Sequence, residues 1–229
     1  MYDVCVGLGY HCESTYQLRR VTGVERAHFF DWLDLDLAAV REVIAADFAN
    51  VLRPGRCEPF SDGACVRDRD SNIRFFHDFH APAGTPLTPE LIAGQYDAVR
   101  AKFHHLATRW RTLTASRSRV LYVHQDAFDE SGAPELTALH TLLRTRYPDH
   151  VFDLLWLRRT PPADAADLPP GVRWGTVPLV PGCWEGDDAA WDAVLAPLDI
   201  PRAGPRPALS PPPLEPHRPG PDRPGPDRS

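Results

Sequence analysis

Apolar positions along the chain fall into short continuous runs and longer helical stripes that alternate. Val4 to Leu8 is an apolar run of strand length, punctuated by Gly7 and Gly9, and Ser14 to Arg20 follows with helical character. Leu37, Val40, Ile44 and Phe48 recur at spacings of three and four, predicting a helix over 35–48 with Asp34 or Asp36 as its cap. Residues 65–76 read as a hairpin, two β-prone runs around a polar turn, which delivers His77-Asp78-Phe79-His80 at the end of its second strand. Thr88-Pro89 then opens a long helix to about residue 116. Further on, strands are expected at 119–124, 151–157 and 172–180, and helices at 134–147 and 187–198.

Strands alternating with helices of this length predict an α/β fold in three layers. Its sheet is mainly parallel with helices on both faces, and the hairpin is an antiparallel addition. Residues 1–200 are expected to form one such domain. In sheets of this kind ligands sit beyond the carboxyl ends of the strands, where Cys12 and Asp126 both fall. From Pro201 onward the composition changes: 11 of 29 residues are proline and Arg-Pro-Gly-Pro-Asp occurs twice in succession. With too few apolar residues to repay ordering, 201–229 is expected to be a disordered tail.

The stripe Ile92, Tyr96, Val99, Phe103, Leu106, Trp110 and Leu113 alternates spacings of four and three without a break. That is the seam of a coiled coil, compatible with a homodimer through 89–116. A helix packed across a sheet carries the same stripe, and most apolar stripes are core. The cations Arg100, Lys102, Arg109, Arg111, Arg117 and Arg119 gather on its second half and the following turn, and a solvated face explains them.

Composition removes several classes. The chain is 43% hydrophobic and 24% charged with a net charge of −6, which gives no bias toward nucleic acid or an acidic membrane surface. The first residues are acidic and polar, unlike a secretory signal, and no apolar run approaches the roughly 20 residues needed to cross a bilayer. A cytoplasmic protein is expected. Five cysteines with irregular spacing then read as free thiols.

Cys12 lies between a strand end and a helix start, where unpaired backbone N–H groups and the helix dipole favour an anion. A thiol there is expected to have a lowered pKa and nucleophilic character. A nucleophile needs a base and a group to orient that base. His77 is the first candidate base, ahead of His80 and His124, and Asp31, Asp78 and Asp126 are the candidate orienting carboxylates. Backbone N–H groups of Cys12 and Glu13 could hold an oxyanion. The same stretch, Gly7-Leu-Gly9-Tyr-His-Cys12, is also a dinucleotide fingerprint with its third glycine replaced, so a nucleotide- or sugar-nucleotide-binding protein is the alternative. A third is a non-catalytic interaction module. Cys57, Cys65, His77 and His80 are zinc-type ligands, but their spacing does not match a structural site. No metal or cofactor is expected. The implied partner is a small-molecule or peptide substrate.

Six blocks occur in order: Leu8-Gly-Tyr-His-Cys12, Tyr16-Gln-Leu-Arg-Arg20, Phe30-Asp-Trp-Leu33, His77-Asp-Phe79, Arg119-Val-Leu-Tyr-Val123 and Gly186-Asp-Asp-Ala-Ala-Trp191. Together they resemble the bacterial family of papain-like cysteine peptidases known as DUF1796, over roughly 2–198. The resemblance implies a cysteine-dependent hydrolase or acyl transferase acting on an amide or thioester, with Cys12 as nucleophile and His77 as base. Asp31 or Asp126 would orient that base. It also implies a cysteine-bearing helix facing antiparallel strands. The family commonly has Asn before the cysteine, where this chain has His11.

Overall fold

The computed structural model describes residues 1–203; of the tail expected at 201–229, residues 201–203 lie against the domain, with the Ala203 amide donating to the Val21 carbonyl, and 204–229 lie outside the described residues. Four parallel strands form the first sheet, in the order β1 (Val4–Gly7), β6 (Val120–Asp126), β7 (Phe152–Arg158), β8 (Val172–Thr176). The second sheet is antiparallel, in the order β2 (Leu33–Asp34), β5 (Arg74–Phe75), β4 (Cys65–Asp68), β3 (Cys57–Phe60). The expected hairpin is thus the β4–β5 half of a four-stranded sheet. Both the alternating α/β pattern and the antiparallel unit are present, because the second sheet is inserted between β1 and β6.

Helices cover both faces of the parallel sheet. On β6, Leu121 and Val123 point to one face and Val120 and Tyr122 to the other, following the two-residue period of a strand. The first face packs against α1 (Cys12–Thr22) and α5 (Asp188–Leu195) through Leu18, Val21, Trp191 and Leu195. The second packs against α3 (Pro89–Thr114) and α4 (Ala133–Arg146). Here the stripe of α3 is spent: Ile92, Val99, Phe103, Leu106 and Trp110 are buried in the chain's own core, with Tyr96 and Leu113 packed against it.

That core also joins the two sheets. The rings run Phe75–Phe103 (5.1 Å), Phe103–Phe29 (5.4 Å), Phe29–Phe48 (4.4 Å), Phe48–Trp110 (5.8 Å) and Trp110–Tyr122 (5.2 Å), a continuous aromatic path from β5 to β6. Helix α2 (Leu37–Ala45) begins at Asp36, whose side chain accepts from the Ala39 amide. Among the described residues no helix is long and apolar enough to cross a membrane.

Candidate functional site

The turn between β1 and α1 sets the place of Cys12. Gly9 and Tyr10 both have positive φ (75° and 84°), and a Cβ on Gly9 would overlap the Leu35 side chain. The requirement for glycine at position 9 thus comes from backbone conformation and core packing. Tyr10 is buried in a left-handed conformation that costs a non-glycine residue roughly 1–3 kcal/mol. It is held by its hydroxyl, which donates to Glu130 at 2.5 Å. Cys12 follows as the first residue of α1, not in the preceding turn, with His11 at the cap position. The His11 ring stacks on Tyr10 and meets the edge of Phe128.

The next residue anchors the helix. Glu13 is 4% exposed; its carboxylate accepts from Arg159 at 2.9 Å and from the Trp191 indole at 2.9 Å. A Cβ on Gly186 would overlap that carboxylate, so the chain can close over it only with glycine there. Gln17, one turn on, donates to the Glu185 carbonyl and to Asp188 at 2.7 and 2.8 Å. The late Gly186–Trp191 block thus clamps the start of α1.

His77 arrives from the other sheet. Arg74 on β5 is bonded twice to Asp34 on β2, both contacts at 2.7 Å, which fixes the register of this short pair. Phe75 and Phe79 are buried on either side of His77. Asp78 turns its carboxylate to Lys102 at 2.5 Å, and the His80 amide and carbonyl are both bonded to the Gln95 side chain. Between these anchors His77 remains exposed, its ring edge-on to Trp32 at 5.8 Å. Its Nε2 is 3.2 Å from Cys12 Sγ. Trp32 is itself in a left-handed conformation, φ 63°, and its amide donates to Thr15 on α1.

The other expected site residues lie elsewhere. Asp31 accepts from the His28 amide and from Arg19, and its carboxyl is raised by burial. Asp126 ends β6 and accepts from the amides of Glu130 and Ser131. Among the described residues neither is bonded to His77, and Asp78 is committed to Lys102. His124 is buried beneath Tyr10. Its pKa is lowered to about 4, chiefly by burial. Among the described residues no three His, Cys, Asp or Glu side chains are grouped to hold a metal ion.

The electrostatics reverse one expectation. Burial pushes the Cys12 thiol up to about 12, the nearby Asp34 carboxylate adds to this, and its own backbone N–H opposes it. Desolvation outweighs the helix terminus, so the resting thiol is held protonated. Asp34 is the carboxylate that the thiol senses, although its sequence position suggested only a helix cap.

The arrangement is a thiol at a helix N-terminus, within hydrogen-bond reach of an imidazole and flanked by two strained aromatic residues. The chain matches no curated protein and no solved structure. Residues 3–152, more than half of its length, match the family described as "Putative papain-like cysteine peptidase (DUF1796)", and the chain belongs to that family.

Proposed function

We propose that the protein is a cysteine hydrolase that cleaves an amide or thioester through an acyl-enzyme on Cys12. The observation that carries this is the 3.2 Å contact between Cys12 Sγ and His77 Nε2, made by residues 65 positions apart on two different sheets' connections. A nucleophile and base within 2.6–3.2 Å form the minimal unit of covalent acyl transfer.

His77 Nε2 takes the thiol proton as Sγ attacks the carbonyl carbon. Negative charge then gathers on the carbonyl oxygen, for which the N–H groups of Cys12 and Glu13 at the first turn of α1 are the donors. The tetrahedral intermediate collapses, the imidazolium gives its proton to the departing amine or thiolate, and an acyl-thioester remains. Water, deprotonated by His77, releases the acid and restores the thiol. Proton transfer of this kind supplies about 10²–10⁴ in rate.

The carboxylate whose charge reaches the pair is Asp34, rather than Asp31 or Asp126. Its negative charge disfavours a thiolate in the resting site, as the raised Cys12 thiol reflects. The same charge favours the imidazolium once the proton has moved. Asp34 is paired with Arg74, so the effect is partial.

Intact-protein mass spectrometry with short acyl thioesters tests the reading. One acyl adduct is expected on Cys12, absent in Cys12→Ala and slowed about 100-fold or more in His77→Ala. Adducts spread over Cys5, Cys57 and Cys183 with none at Cys12 would overturn it.

A further inference from the structure

Five side chains form a closed circuit at the mouth of this site. Cys12 and Tyr16 are one turn apart on the same face of α1. The Tyr16 ring meets Trp184 at 5.4 Å, Trp184 meets Trp32 at 6.2 Å, Trp32 meets His77 at 5.8 Å, and His77 returns to Cys12 at 3.2 Å. Tyr16, Trp32 and Trp184 are each only partly buried. Three adjoining aromatic rings beside a nucleophile suit a flat apolar group or a cation, and the surrounding charge decides between these.

From Trp174 to Ile200 the chain holds Glu185, Asp187, Asp188, Asp192 and Asp199 and no lysine or arginine. Arg20 offsets Asp188 and Asp192. Glu185, next to Trp184, makes no ion pair among the described residues, and the Cys183 thiol donates to it at 3.5 Å. Burial, followed by the charges of Asp188 and Glu185 and opposed by Arg20, holds the Tyr16 phenol above its ordinary range, so both carboxylates act at this ring. The Arg19 guanidinium already lies 5.4 Å over the Trp32 ring, a cation held by one of these aromatics.

We infer that the Tyr16–Trp184–Trp32 wall, with Glu185 at its edge, binds a cationic group of the substrate, an ammonium or guanidinium, beside the bond that Cys12 attacks. This rests on Cys12 being the nucleophile and names the class of substrate it serves. Aromatic faces and an unneutralised carboxylate both favour a cation over a neutral isostere. An anionic group would meet the same potential with the opposite sign.

Three methanethiosulfonates of graded charge test this on the full chain: trimethylammonium-ethyl, methyl and sulfonatoethyl. Each leaves a mixed disulfide on Cys12 and releases methanesulfinate. Peptide mapping separates Cys12 from Cys183, and every rate is divided by that of the same reagent with free cysteine. In the wild type the cation is expected to react about five-fold or more faster than the neutral reagent, and the sulfonate slower than either. The cation-to-neutral ratio should fall to near one in Trp184→Ala, fall partway in Glu185→Gln, and largely persist in Trp184→Phe, with Tm confirming that each variant is folded. A wild-type ratio of one or below, or a ratio untouched in Trp184→Ala, would overturn the cation site while leaving the thiol chemistry standing. Neutral-reagent labelling of Cys12 that is no faster than in His77→Ala would overturn the nucleophile assignment, and the cation site with it.

Discussion

Cys12 and Glu13 are neighbours on one helix, yet they face two differently built halves of the molecule. Glu13 looks toward the parallel sheet, where β6 is seven residues long, buried throughout and paired on both sides. Its charge is sealed between Arg159 and Trp191. Cys12 looks toward the antiparallel sheet, where β2 and β5 are two residues each and His77 is exposed. One half fixes Cys12, the proposed nucleophile, through the Glu13–Arg159 ion pair and a seven-residue ladder. The other carries His77, the proposed base, two residues past a short strand held by one ion pair, two phenylalanines and a glutamine. Cys12 is thus set by long-range anchors and His77 by local ones.

Breaking the first half should cost most. Glu13→Ala leaves the part-buried Arg159 with backbone carbonyls but no carboxylate, and leaves the Trp191 N–H unpaired in the core, so a loss of about 3 kcal/mol in urea unfolding is expected. Trp191→Phe removes the N–H to Glu13 and part of the buried indole, at about 2 kcal/mol. The partners of Glu13 lie at 159, 186 and 191, beyond the family match at 3–152, so truncation near 152 should destabilise the start of α1.

Acid should weaken the protein in a defined window. Burial lowers His28, His124 and His150 to about 4, so between pH 6.5 and 4 the unfolded chain binds protons that the folded one does not. Stability is then expected to fall as pH drops from 6.5 toward 4. At the alkaline end the thiols of Cys5, Cys12 and Cys57 are raised to about 12, so stability should fall as pH climbs above 9. Urea titrations across both windows check the signs.

The smallest effect is expected on the second half. Asp34→Asn should lower the rate of Cys12 acylation by about ten-fold at a stability cost of only about 1 kcal/mol, since the amide oxygen still accepts from Arg74. A rate loss with little stability loss here, against the reverse at Trp191, would sharpen the contrast between the two halves.

Much of the frame was legible because its signals are local. Asp36, Thr88-Pro89 and Asp187 cap or open helices by contacts within three residues. The strands β6 and β7 announce themselves as apolar runs. By contrast, β2 and β3 carry no such signal: one is two residues long and the other contains Pro59. At the site, Cys12 and His77 stood out by residue type and position. Glu13 did not, because its partner Arg159 is 146 positions away and a buried ion pair leaves no periodic trace. The Cys12 pKa ran opposite to expectation because a helix terminus can be read from sequence, whereas burial beside Asp34 cannot.

The central claim is that His77 activates Cys12, and the most direct measurement is the rate of iodoacetamide alkylation at Cys12 at pH 7, wild type against His77→Ala. Burial holds the Cys12 thiol well above its ordinary range, so at this pH it is almost wholly protonated and should label slowly without a base. The account expects the wild type to label at least about ten-fold faster than His77→Ala. Equal rates in the two proteins would contradict it.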